Sequence, residues 1–251
     1  MFFKKEVIKI NSLHSKLSKA LKEPKSALDY LFRMRKLSTF LPELPDLKNK
    51  ERLKIKKFFE EASEVRSEVE AVFNPSASAC RTPDLEVRLL PPSVIYSVVR
   101  ATKPEIVVET GVNNGISTYF ILSALERNDS GLLYSIDIKE KIVSNRFKEE
   151  KEIGWLVPEE LRRRWTFLLG DSKEVLPRIL AEVKRVDIFM LDSGDTYEHK
   201  CFEFRTAWRH LREGGVLLSD DIFLNKAFED FIKEVKPSRT ATFSLLGLLR
   251  K

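Results

Sequence analysis

Carboxylates end several apolar runs in this chain, and their placement is the first hint of chemistry. The run "VDIFML" stops at Asp192, with Asp195, Tyr197, Glu198 and His199 close behind. The run "GGVLLS" stops at Asp220 and Asp221. Carboxylates gathered without partners repel one another and raise each other's pKa. A hard divalent cation with oxygen ligands, such as Mg²⁺, would resolve that repulsion, with Asp192, Asp220 and Asp221 as its ligands. A helix cap, a salt bridge or solvation would resolve it too. Asp195 or His199 could take a proton from a hydroxyl within hydrogen-bond reach.

A second stretch, "VVETGVNNGIST", joins an apolar run to a helical pattern. The run Ile106 to Val108 stops at Glu109, and Gly111 and Gly115 follow with Asn113 and Asn114 between them. A dinucleotide fingerprint would read G-x-G-x-x-G, and a phosphate loop would carry G-K-[ST] after its second glycine. Neither is present, which argues against a tightly packed pyrophosphate or triphosphate. A smaller nucleoside-like ligand asks less of the loop. Gly111 and Gly115 would let the backbone approach it, and Glu109 could accept a hydrogen bond from an ammonium. Asp137 ends "LLYSID", placed to accept ribose hydroxyls or to cap a helix. In "LLGDSKEVLP", Asp171 or Ser172 could cap the next helix, and the same groups could reach a purine edge.

These residues need elements to position them. Short apolar runs alternate with helical patterns from residue 93 onward. The expected strands are Ile106–Glu109, Leu132–Asp137, Thr166–Leu169, Val186–Leu191 and Val216–Ser219. The expected helices between them are Ile116–Arg127, Lys139–Glu152, Lys173–Val183 and Tyr197–Leu211. Such alternation predicts an α/β fold, a Rossmann-like, doubly wound, mostly parallel sheet covered on both faces. Ligands in such sheets sit beyond the carboxyl ends of the strands, where the acidic residues lie.

The first third differs. Residues 1–75 hold 17 Lys+Arg against 11 Asp+Glu, so the whole net charge of +6 lies there. Ile10, Leu13, Leu17 and Leu21 suggest one helix, and Leu28, Leu31, Met34 and Leu37 a second. Phe58, Ala62, Val65, Val69 and Val72 mark a third with a narrow apolar stripe, suited to a partner or to the domain itself. The reading is a helical extension over 1–75, a linker over 76–90 and a ligand-binding domain over 91–251. The basic third is a solvated helical face or a nucleic-acid contact. The sequence shows no apolar run of membrane-spanning length and no signal-peptide pattern. Cys80 and Cys201 fit no metal or redox spacing. Reduced thiols in a cytoplasmic protein are the expectation, and the absence of glutamine beside abundant Lys and Glu leans towards a thermophile.

The five motifs together occur in the order of the class I S-adenosylmethionine-dependent methyltransferases. Residues 90–251 resemble most the branch that contains catechol O-methyltransferase. The resemblance implies a seven-stranded sheet with an antiparallel last strand, and "FSLLGLLRK" is similar to the family's last hairpin. It implies that S-adenosylmethionine is bound by the loop from Glu109 through Gly111, Asn113, Gly115 and Ser117. Asp137 would meet the ribose and Asp171 and Ser172 the adenine, with Ile138 and Asp192 also binding the cofactor. It implies Mg²⁺ at Asp192, Asp220 and Asp221. The pattern departs where relatives carry a lysine or histidine base, because Asp195 stands there and His199 follows four residues on. The expected function is O-methylation of a small hydroxylated or phenolic acceptor, with Asp195, His199 and Asp192 as catalytic candidates. The alternatives are a tRNA or RNA methyltransferase using the basic helices, and a non-catalytic cofactor-binding scaffold, with the helical third serving a homodimer.

Overall fold

The computed structural model describes residues 37, 40, 48–73, 83–143 and 149–251. The first two expected helices lie outside them, except for Leu37, which is helical and buried. Helix α1 (Lys48–Phe73) buries Phe59, Ala62, Val65 and Val69 at three- and four-residue spacing. That stripe packs on α2 (Pro83–Thr102) and on α3 (Ile116–Asn128), so it covers the domain itself. Helix α2 begins inside the stretch expected as a linker and carries Pro91 and Pro92 within it, a pair that reads as a break in sequence.

The strands are, in chain order, β1 (Ile106–Thr110), β2 (Leu132–Asp137), β3 (Lys141–Val143), β4 (Glu150–Glu152), β5 (Trp165–Leu169), β6 (Val186–Leu191), β7 (Leu211–Ser219), β8 (Arg239–Phe243) and β9 (Leu246–Arg250). Seven of them form one sheet in the order β5-β2-β1-β6-β7-β9-β8. Strands β5, β2, β1, β6 and β7 run parallel. Strand β9 is antiparallel to both of its neighbours, β7 and β8. The sheet is therefore mostly parallel with an antiparallel last strand, as the sequence predicts.

Alternation along each strand divides the core in two. Val107, Ile188, Met190 and Leu218 face α1, α2 and α3. Val108, Phe189, Leu191 and Leu217 face α4 (Ser172–Val183), α5 (Tyr197–His210) and α6 (Ala227–Val235). The sequence reading passes over α6, although Phe228, Phe231, Ile232 and Val235 repeat at helical spacing.

One expected element is wrong. The described residues of the stretch Lys139–Glu152 are not helical, because β3 and β4 pair antiparallel, Lys141 with Glu152, Ile142 with Lys151 and Val143 with Glu150. Its charged residues favour a helix by propensity. Cross-strand pairing overrides that preference: Ile142 is half-buried between two exposed neighbours, and Lys141 Nζ meets Glu150 at 3.1 Å. No described helix is long and apolar enough to cross a membrane.

A partly buried ion pair fastens α1 to the domain. Arg100 Nε donates to Glu61 at 2.7 Å, and Tyr96 Oη donates to the same carboxylate at 3.1 Å. The Glu61 and Arg100 side chains keep only 8% and 13% of their exposure. Glu61→Ala strands the guanidinium and should cost about 3 kcal/mol, the low end for halving a buried pair. The melting temperature should then fall by roughly 6–12 °C. A thermal melt unchanged from wild type would show that α1 docks without this pair.

Candidate active site

The site begins where three strand ends converge on Gly111. The Gly111 N–H donates to the Ile136 carbonyl, and the Asp192 N–H donates to the Thr110 carbonyl, each at 2.8 Å. Gly111 has φ +84°, and a Cβ there would fall 2.0 Å from the Asp192 carbonyl oxygen. Only glycine fits both the conformation and the space.

Asp137 holds the loop that follows. Its Oδ2 accepts from the amides of Val112 at 2.9 Å and Asn113 at 3.0 Å, and its Oδ1 accepts from Lys139 at 3.0 Å. The carboxylate still lines the cleft beside Gly111 and Asn113. Each carboxylate oxygen has about two acceptor sites, so Oδ1 keeps capacity for one further donor, such as a ribose hydroxyl.

Glu109 is placed differently from expectation. It is fully buried and accepts from Ser117 Oγ at 2.6 Å, Ser135 Oγ at 2.7 Å and Thr118 Oγ1 at 2.8 Å. Burial raises its pKa against the pull of these three hydroxyls. It ties β1 to β2 and α3 from behind and does not line the cleft, so it is not free for a ligand's ammonium. Ser117 belongs to the same buttress. Gly115 starts α3 with φ 88° and likewise supports the loop from outside the cleft wall.

The cleft encloses about 420 Å³ beyond the carboxyl ends of β1, β2, β5 and β6. Ile138, Asp171, Ser172, Asp192 and His199 line it. Asp171 also caps α4 through the Lys173 amide at 2.8 Å, so the cap reading holds as well. Ile142 and Ile153 add an apolar wall beside β3 and β4 that the mistaken helix concealed. Asp195, Asp220 and Asp221 stand outside the wall of this cleft.

Asp192 is exposed and opens onto the cleft. Crowding by the surrounding walls, then the charges of Asp220, Glu109 and Asp221, raises its pKa above the ordinary carboxylate value. Burial does most to raise Asp220 as well. Lys200, only 2% exposed, donates from Nζ to the backbone carbonyls of Asp220 at 2.9 Å and Asp221 at 3.0 Å. Asp220 Oδ1 is buried without a hydrogen-bond partner among the described residues. An orphaned carboxylate oxygen suits a cation, but ligands must converge. Among the described residues no group of three His, Cys, Asp or Glu side chains gathers as a metal site does. Asp192, Asp220 and Asp221 as placed do not fit Mg²⁺, and the cation under them is a lysine.

A second polar network was not foreseen. His199 Nε2 lies 2.9 Å from Glu203 Oε1, 3.1 Å from Ser172 Oγ and 3.2 Å from Ser193 Oγ. Glu203 is fully buried and also accepts from Thr110 Oγ1 and Ser193 Oγ, each at 2.8 Å. The signal available in sequence was the four-residue spacing of His199 and Glu203 on one helix face.

With this geometry in view, comparison with known proteins is informative. Residues 108–222 match a family model described as a methyltransferase domain. No curated protein matches the sequence. The apo structure of CalS11, a TDP-rhamnose 3'-O-methyltransferase of calicheamicin biosynthesis, superposes with a TM-score of 0.54 at 16% identity over 75% of this chain and 93% of that one. A second CalS11 structure, titled calicheamicin methyltransferase, gives 0.51 at 15% identity over 81% and 93%. These likenesses show the fold. Over residues 108–222 the chain is similar to a methyltransferase domain, and it shares the fold of these methyltransferases.

Gly111→Ala should drive a methyl group into the Asp192 carbonyl and separate the ends of β1 and β6. Calorimetric titration should detect no S-adenosylmethionine binding, although far-ultraviolet circular dichroism retains the α/β signature. Wild-type affinity in this variant would mean that the loop does not depend on that close approach.

Proposed function

We propose that the chain transfers the methyl group of S-adenosylmethionine to an oxygen of a small hydroxylated acceptor, with Asp192 accepting the proton. The observation that carries this reading is one cleft in which the Asp137-held loop and the Asp192 carboxylate face the same space. S-adenosylmethionine, when bound, supplies a sulfonium-linked methyl group open to in-line displacement. The residues of the chain bind it, align the acceptor and take up a proton.

Binding falls to the backbone around Gly111 and Asn113, to Asp137, and to Asp171 and Ser172 at the far end. Ile138, Ile142 and Ile153 provide apolar surface that excludes water from that end. Proton uptake falls to Asp192, because a carboxyl whose pKa is raised by its surroundings is a stronger base than an ordinary aspartate. Asp195 stands beyond the wall, with its backbone carbonyl tied to Asn225 Nδ2 at 2.7 Å, so we place it on the acceptor side. Asp220 and Asp221 shape the field around Asp192, and no step is routed through a metal.

The test is calorimetry with S-adenosylmethionine, followed by turnover on a panel of phenolic acceptors. Asp137→Ala removes a charge-assisted hydrogen bond to the ribose, at roughly 1.5–3 kcal/mol, together with the anchor of the loop, and should weaken binding at least roughly 10–100-fold. Asp192→Asn should leave binding within about threefold and lower turnover by roughly 10²–10⁴-fold. Wild-type turnover in Asp192→Asn would remove Asp192 as the base. A wild-type chain that binds no S-adenosylmethionine would remove the whole reading.

A further inference from the structure

We infer that His199 contacts the cofactor from the purine side of the cleft, and that Glu203 is the residue that positions it. The inference rests on the S-adenosylmethionine reading above and assigns His199 a place other than that of the base.

Three observations fix the place of the ring. It runs back along Gly194, where a Cβ would fall 2.7 Å from His199 Cδ2, so the imidazole occupies space that any side chain at 194 would take. Its Nε2 reaches Ser172 at 3.1 Å, the first residue of α4 after β5. Ser172 follows β5, two strands from β1, while Ser193 at 3.2 Å follows Asp192 at the end of β6, so the ring spans the cleft from the β6 end to the β5 end. The imidazole thus reaches from α5 towards the end of the cleft that the purine would fill.

Hydrogen bonding decides what the ring can do there. Nε2 lies 2.9 Å from the Glu203 carboxylate, which only accepts, so this nitrogen carries its proton towards Glu203 and has no lone pair to offer an acceptor hydroxyl. Nδ1 and the ring plane remain for the cleft, which His199 lines. Glu203 cannot move aside, since it is wholly buried and held by Thr110 and Ser193.

The charge state follows from the neighbours. The hydrogen bond to Glu203 raises the His199 pKa, burial and Lys173 oppose it, and the Glu203 and Asp171 charges add to the rise. An imidazolium carries N–H on both nitrogens, so Nδ1 is a donor. Purine ring nitrogens such as N7 are acceptors. Cofactor affinity is then highest with His199 protonated and falls as pH rises through its raised pKa.

The experiment is calorimetric titration of the full chain with S-adenosylhomocysteine between about pH 6 and 9. Wild-type affinity should fall several-fold across this range. Glu203→Gln should shift the midpoint to lower pH, and His199→Gln should bind several-fold more weakly at the acid end and show no such fall. A His199→Gln protein that matches wild type at every pH overturns the inference and leaves the cofactor reading standing. Failure of wild type to bind at any pH overturns both. If the variants do not fold, ring signals of the chain's three histidines can be followed in wild type by nuclear magnetic resonance, with His14→Asn and His210→Asn supplying the assignment. The His199 signals should move on ligand addition, and stationary signals overturn the inference.

Discussion

The ends of β1, β2 and β6 meet at a point with no room for a side chain. A Cβ on Gly111 would sit 2.0 Å from the Asp192 carbonyl oxygen, and most of the site follows from that constraint. Because the strands close to this distance, the Asp192 amide can bond to the Thr110 carbonyl and the Gly111 amide to that of Ile136. The loop leaving Gly111 is then short enough for Asp137 to collect the amides of Val112 and Asn113. A carboxylate from one strand thereby orders the loop of another and faces the cleft with its remaining acceptor site.

The same convergence creates an electrostatic difficulty. Acidic residues at several strand ends come within range of one another, and each lost water raises the cost of charge. The protein meets this with different partners at each carboxylate. Glu109 has three hydroxyls, Glu203 has a histidine and two hydroxyls, and Glu61 on the outer helix has an arginine. Asp192 has crowding and the charges of Asp220, Glu109 and Asp221 against it and Lys200 in its favour, and its pKa is raised. Burial raises the pKa of Glu109 as well, but Asp192 is the raised carboxylate that faces the cleft.

Much of this was legible in the sequence. Apolar runs ending in Asp137, Asp192 and Asp220 marked the strands and their functional ends, because parallel strands buried on both faces leave few polar residues elsewhere. The glycine pair marked the loop. Two kinds of information were out of reach. Cross-strand pairing of Lys141–Val143 with Glu150–Glu152 is non-local and defeats helix propensity, and with it went the apolar wall of Ile142 and Ile153. The direction in which a carboxylate points is also invisible: Glu109 and Asp137 end neighbouring strands, yet one faces three hydroxyls behind the sheet and the other faces the cleft.

Lys200 shows why chemistry cannot be carried across by residue type alone. Three acidic residues at adjacent strand ends suggest a cation, and a cation is present, but it is a side-chain ammonium. It binds the backbone carbonyls of Asp220 and Asp221 rather than their carboxylates. This contact sits at the residue where the chain turns through the left-handed region, Asp221 with φ 50°. A buried lysine in that position fixes the end of β7 and moderates the field at Asp192 and Asp220 without occupying the space in front of them. Mg²⁺ coordinated there would need those side chains to converge on one point, whereas the backbone-directed ammonium leaves Asp192 turned to the cleft and available for a proton.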